Sequence, residues 1–202
     1  MFPANNRKIS RPTIDRPAFA LVAIVLAFAG PLAAAAEMPP RQAAFCKAVA
    51  DGRAAYKAAN QDTNRLRRDV NIEAARTSRR DALKAALPGE LGGGEAEQWI
   101  GTVARVFKTS SGNGWLRVAL PCGAALQSMS GVEIPAKDPL FKTLLGLDVG
   151  ETVRVNGRML AAAGECDHFV ELSLTWGGAM ESPDFAFYVE AVEPRDKPQA
   201  AR

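Results

Sequence analysis

The spacing of hydrophobic positions changes twice along this chain. Ala18 to Ala36 is a nearly unbroken apolar run, interrupted only by Gly30 and Pro31. From Arg41 to Leu87, apolar or small residues recur in steps of three and four: Phe45, Val49, Gly52, Tyr56, Ala59, Thr63, Leu66 and Val70. That spacing lays one stripe along an α-helix. Alanine, arginine and lysine dominate the stretch and proline is absent from it, so a helical segment is predicted over 37–87. One unbroken helix over 41–87 would be about 70 Å long at 1.5 Å per residue. Two pieces folded back, or a coiled coil, are the usual outcomes, with Asn60, Asn64 and Asn71 as break points. The stripe is thin in bulky side chains. It leaves open both packing against the rest of the chain and homo-oligomer formation through the helix.

Residues 88–97 (PGELGGGEAE) read as a linker, because a triple glycine, a proline and three acids do not hold regular structure. Beyond it the apolar positions alternate, which is the period of a strand. Strands are predicted at Trp99–Phe107, Trp115–Leu120, Thr152–Leu160, Phe169–Trp176 and Phe185–Val192. The turn Ser110–Gly114 makes a hairpin of the first two. Residues 122–136 read as irregular, and they hold a short strand or leave the barrel incomplete. Asp138 and Pro139 start a short helix that runs to Gly146. Alternation assigns Leu116, Val118, Leu120, Val153, Val155, Met159, Val170, Leu172, Leu174, Phe185, Phe187 and Val189 to a common interior. Residues 194–202 are polar and read as a disordered tail.

Five strands with a helix before the third suit a small five-stranded barrel over 98–193, giving an α+β fold class. Gly101-Thr102-Val103 and the run Leu147-Asp148-Val149-Gly150-Glu151-Thr152-Val153-Arg154-Val155-Asn156-Gly157 resemble the motifs of OB-fold, anticodon-binding-like barrels. The chain as a whole is similar to small exported bacterial proteins with an N-terminal helix before such a domain. The resemblance implies a five-stranded Greek-key barrel and little about function.

Charge changes this picture by placing the protein. Arg7, Lys8, Arg11 and Arg16 precede the apolar run, which ends in Ala34-Ala35-Ala36 before Glu37. A basic start, an apolar stretch and small residues at its end are what signal peptidase accepts, so residues 1–36 are predicted to be a secretory signal peptide. The 19-residue run approaches the span of a bilayer, but Pro31 and the alanine cluster favour cleavage, leaving no stable membrane span. The protein is then periplasmic or secreted. The whole chain carries 25 Lys+Arg and 22 Asp+Glu, and the leader holds 4 and 1 of these, which leaves 21 of each. A neutral chain lacks the basic footprint of most nucleic-acid binders. The charge is nonetheless uneven: residues 41–87 are basic and 88–202 acidic. The arginines from Arg65 to Arg80 therefore read as a solvated helix facing its acidic neighbour.

An oxidising compartment favours a disulfide among Cys46, Cys122 and Cys166. Three pairings exist. Cys122 and Cys166 flank strands of the same domain and are the expected pair, with Cys46 a buried apolar residue on the helix.

No nucleophile elbow, Gly-rich phosphate loop or paired-carboxylate motif occurs, so no enzyme is expected. Cys166, Asp167 and His168 adjoin, but no further ligands at metal spacing accompany them. No metal or cofactor is expected. Binding is the stronger expectation: Trp115, Arg117, Arg154, Arg158 and Tyr188 fall on outward faces. A ring to stack on beside guanidinium forks suits an envelope protein, a glycan or another anionic polymer, and less readily single-stranded nucleic acid. If the strands pair as in the barrel they resemble, the three arginines converge near the tryptophan. Intact mass of the protein recovered from its native compartment is expected to match residues 37–202. A mass that includes 1–36, found in the membrane fraction, overturns the leader assignment.

Overall fold

The computed structural model describes residues 38–87, 94–162 and 168–195. The leader, Cys166, most of the expected linker and the chain end from 196 lie outside the described residues. The expected class is what the fold has: a helical segment followed by a closed five-stranded OB-like barrel. The helical segment is a hairpin of α1 (Pro40–Asn60) and α2 (Arg65–Ala86). It breaks at Asn60–Asn64, where Asn64 caps α2 by accepting the Arg67 N–H at 3.1 Å. Asp62 holds the turn by accepting the Asn64 N–H and the Arg67 guanidinium. These bonds hold its carboxyl below the usual carboxylate range. The stripe Phe45, Val49, Gly52 and Ala59 is buried, but beyond the break it reverses: Leu66 is 76% and Val70 60% exposed. The helix α2 turns Ala75, Arg79 and Leu83 inward instead.

The barrel consists of β1 (Glu95–Lys108), β2 (Gly114–Ala119), β3 (Ala125–Gln127), α3 (Pro139–Leu144), β4 (Thr152–Met159), α4 (Trp176–Glu181) and β5 (Asp184–Pro194). Strand order around it is β1-β2-β3-β5-β4, with only the β3–β5 pair parallel. Asp138 accepts the Leu140 N–H at 2.9 Å, so α3 starts where its cap and proline direct.

Two expectations need correction, and of the two alternatives for residues 122–134 the short strand is the one that forms. The first strand starts four residues earlier, inside the supposed linker. Ala96 is buried, and a bulge between Ala96 and Trp99 is filled by Asn156, whose Oδ1 accepts the Gln98 N–H at 2.5 Å. Three residues of the stretch taken as irregular form β3, which pairs with both β2 and β5 and closes the barrel. Residues 169–176 do not form a strand. They touch the barrel through isolated bridges, Ala161 to Phe169 and Glu171 to Phe185. Past Met159, where β4 ends, this segment takes over the free edge of β5: Leu172 N–H donates to Asp184 O at 2.7 Å and Ala186 N–H to Val170 O at 2.9 Å. Thr175 then ends the extended run by capping α4, accepting the Gly178 N–H. Leu174, expected inside, is fully exposed.

Helix α1 is built into the barrel rather than laid beside it. Phe45 is completely buried, its ring 5.0 Å from Trp99 and 5.3 Å from Phe185. Buried Gln42 serves Ile100 as a substitute strand: it accepts the Ile100 N–H at 2.9 Å and donates to its carbonyl at 2.5 Å. The β1–β2 ladder ends nearby, at the Thr102–Ala119 pair. Arg53 donates to the Cys122 carbonyl at 2.7 Å.

The disulfide is not the expected one. Cys122 is bonded to Cys46, with Cα atoms 5.2 Å apart. Periodicity placed Cys46 correctly in the buried stripe; what it did not show is that this stripe meets the β2–β3 turn. Closing a loop of 76 residues stabilises by about 4 kcal/mol on the chain-entropy model. Non-reducing peptide mapping is expected to recover a Cys46–Cys122 linked peptide, and Cys46→Ser to lower stability by about 2–4 kcal/mol. Recovery of Cys122 joined to Cys166 overturns the pairing.

Candidate functional site

The long first strand decides which outward residues meet. Its C-terminal half pairs with β2, setting Phe107 opposite Trp115 and Arg105 opposite Arg117. Its N-terminal half pairs with β4, setting Ile100 opposite Arg154 and Glu95 opposite Arg158. Phe107 and Ile100 are seven residues apart, about 23 Å along a strand at 3.3 Å per residue. The three arginines therefore do not converge on the tryptophan. Trp115 and Arg117 lie on one face, Arg158 and Tyr188 on another, and exposed Arg154 stands between Ile100 and Glu193 in the ladders.

On the second face, Arg158 sits 5.1 Å over the Tyr188 ring and 3.6 Å from Glu190. All three are exposed, and such a pair contributes little to stability.

The first face is richer. Phe107 and Trp115 pack at 4.8 Å between ring centroids. Arg105 lies over both, 4.8 Å from Phe107 and 5.9 Å from Trp115. Arg117 donates from Nη2 and Nε to Asp184 Oδ1, at 2.6 and 3.2 Å. The adjoining Thr109–Asn113 turn is tied to Glu133, which accepts from Asn113 Nδ2 at 3.2 Å. Trp115 is half-buried and Phe107 is 40% exposed, so the ring pair is presented to solvent at one end of the hairpin. Arg105 and Phe107 were not singled out from the sequence. A bulge between Val103 and Arg105 shifts the alternation there, so simple counting from Val103 sends Arg105 and Phe107 inward.

The Cys166-Asp167-His168 cluster is represented among the described residues by His168 alone. Its ring packs edge-on to Phe169 at 4.5 Å, and its Nε2 is buried without a hydrogen-bond partner. Among the described residues no group of three metal-ligating side chains occurs, and no helix is long and apolar enough to cross a membrane. No protein-family model, curated protein or solved structure matches this chain.

Burial, with repulsion from Lys84, pushes the His168 imidazole below its ordinary value. The unfolded imidazole titrates near about 6.5, so on acidification the unfolded chain takes up this proton first. Stability from neutral His168 is thus complete above about pH 6.5 and is lost as pH falls through that value towards the folded pKa. Melting temperature is expected to drop between about pH 7.5 and 5, and His168→Gln to flatten that slope. An unchanged slope in the variant assigns the drop to other groups.

Proposed function

We propose that this protein is a non-enzymatic binding module of the periplasm whose β1–β2 face takes an anionic partner, an envelope glycan or protein segment. One observation carries the reading: Arg105 and Arg117 stand directly opposite each other on neighbouring strands, beside the stacked pair Phe107 and Trp115. Like charges in that relation disfavour a sheet by a few tenths of a kcal/mol or more. Asp184 answers Arg117, and the rings soften the field of Arg105. An anionic ligand laid along the hairpin answers Arg105, and the rings supply a flat surface for a sugar or a planar group. The face includes β2, a strand that OB-type barrels use to hold oligonucleotides and oligosaccharides. A disulfide between Cys46 and Cys122 suits an oxidising compartment.

Single-stranded nucleic acid is the alternative ligand, favoured by the two stacking rings and disfavoured by the neutral charge of residues 37–202 and by the leader. Titration of the protein with a uronic-acid polysaccharide and with a single-stranded oligonucleotide, at two salt concentrations, separates the two. Polysaccharide binding is expected. Trp115→Ala and Arg105→Ala are each expected to weaken it about tenfold, the scale of one stacking or charge-assisted contact, and to leave the melting temperature within a few degrees. Binding confined to the oligonucleotide, with a steep salt dependence, moves the assignment to nucleic acid. A loss of several kcal/mol of stability in Trp115→Ala makes the ring part of the core and removes the site.

A further inference from the structure

A second site stands apart from the strand faces, where α2, the segment 171–175 and α4 meet around a cleft of ≈ 210 Å³. Its floor is set by helix packing. Gly52 of α1 faces the stem of Arg79, and a Cβ at that position would lie 2.7–2.9 Å from three carbons of the arginine side chain. The absence of a side chain at Gly52 lets Arg79 run between the helices and reach the barrel. There its Nη2 donates to Glu171 at 2.9 Å and its Nη1 to the Ala179 carbonyl. The Arg79 side chain is only 7% exposed, yet its Nε has no hydrogen-bond partner. An unmet donor at such depth is destabilising, and it belongs to a residue that lines the cleft.

The outer wall is a second arginine, held flat. Arg76, one turn before Arg79, lies 3.5 Å over the Trp176 ring, and its Nη1 donates to Glu73 at 2.8 Å. Trp176 is 62% exposed, so the stack stands at the mouth of the cleft rather than in the core. Stacking fixes the plane of a guanidinium and leaves its edge free to donate, which is the geometry that grips a carboxylate with two bonds. Glu171, the acid in the lining, is taken up by Arg79. Arg76, with donors beyond its one bond to Glu73, lines the mouth of the cleft, and what a guanidinium edge takes up is an acceptor with negative charge. Trp176 and Met180 add an apolar wall. The volume is below the roughly 300–1,000 Å³ of pockets for drug-sized ligands, which limits the ligand to the size of a monosaccharide or a short dicarboxylic acid.

We infer that this cleft binds a small organic carboxylate, gripped by Arg76 and flanked by Trp176. The carboxylate comes either from a free solute or from the end residue of an acidic polysaccharide.

Calorimetric titration of the full protein with galacturonate, succinate, neutral galactose and a short oligogalacturonide tests this. One-site saturable binding of galacturonate or succinate is expected in the millimolar range or tighter, with none of galactose. Arg76→Gln is expected to weaken it about tenfold, the loss of one charge-assisted grip. Arg76→Lys should restore part of it, because the charge returns without the fork. Trp176→Ala, at an exposed ring, provides a second variant should Arg76→Gln misfold, and is expected to weaken binding several-fold. Trp115→Ala leaves this binding unchanged, which separates the cleft from the strand face. In the Trp115→Ala protein, whose strand face is weakened, tighter binding of the oligomer than of galacturonate that is lost with Arg76→Gln identifies the end of a polysaccharide as the source; equal or weaker binding identifies a free solute. Absence of saturable binding by every carboxylate, equal binding of galactose, or full affinity in both Arg76→Gln and Trp176→Ala overturns the inference.

Discussion

The rest of the molecule depends on the insertion of α1 into the barrel. A small barrel has too little interior to stabilise itself by strand side chains alone. Here the deficit is met from outside the strands, by Phe45 seated between Trp99 and Phe185. Burying one such ring is worth roughly 1.5–3 kcal/mol of transfer free energy. Its neighbour Gln42 answers the backbone of Ile100, and Cys46 bonds to the far turn. Three consecutive inward positions of one helix thus supply an apolar ring, a polar substitute for a strand and a covalent tie. The helix hairpin and the barrel are therefore one folding unit, although the sequence between them has the composition of a flexible joint.

The same arrangement explains how the surface is divided. Strand β1 is 14 residues long because it serves two partners in succession, β4 along its first half and β2 along its second. A strand shared in this way keeps the residues opposite its two halves apart. It also leaves the helix hairpin free to build a site of its own, where α2, whose end packs into the core through Leu83, meets the segment 169–175 through Arg79 and Glu171. A buried ion pair of this kind is weak support for stability, but it fixes the relative position of the two elements.

Much of the fold could be read from residue pattern alone, and the failures have identifiable causes. The helix period, the cap at Asp138 and the buried sides of β2, β4 and β5 follow from local chemistry that the tertiary structure does not oppose. The three residues of β3 are too few to show alternation, and are held by partners 59 positions downstream, as in the pair of Ala125 with Asp184. The run Phe169–Trp176 alternates well and still is not a strand, because β5 already has β3 and β4 as neighbours along most of its length. The site was less legible than the fold. Trp115 and Arg117 were found as outward residues, whereas Arg105 and Phe107 are displaced by a bulge that leaves no mark in composition. The meeting of Arg76 with Trp176 joins residues 100 positions apart and has no local signal at all.

The disulfide has a consequence for how the chain acquires its structure on the exported route proposed above. A chain that enters an oxidising compartment N-terminus first delivers Cys46, then Cys122, and Cys166 only after a further 44 residues. Pairing the first two thiols to arrive gives the native bond, so oxidation in order of emergence needs no later reshuffling. The bond also bridges α1 to the β2–β3 turn before β4 and β5 have appeared. The plugging helix is thereby tethered at its destination while the barrel is still half made, and the remaining strands assemble around a plug already in position.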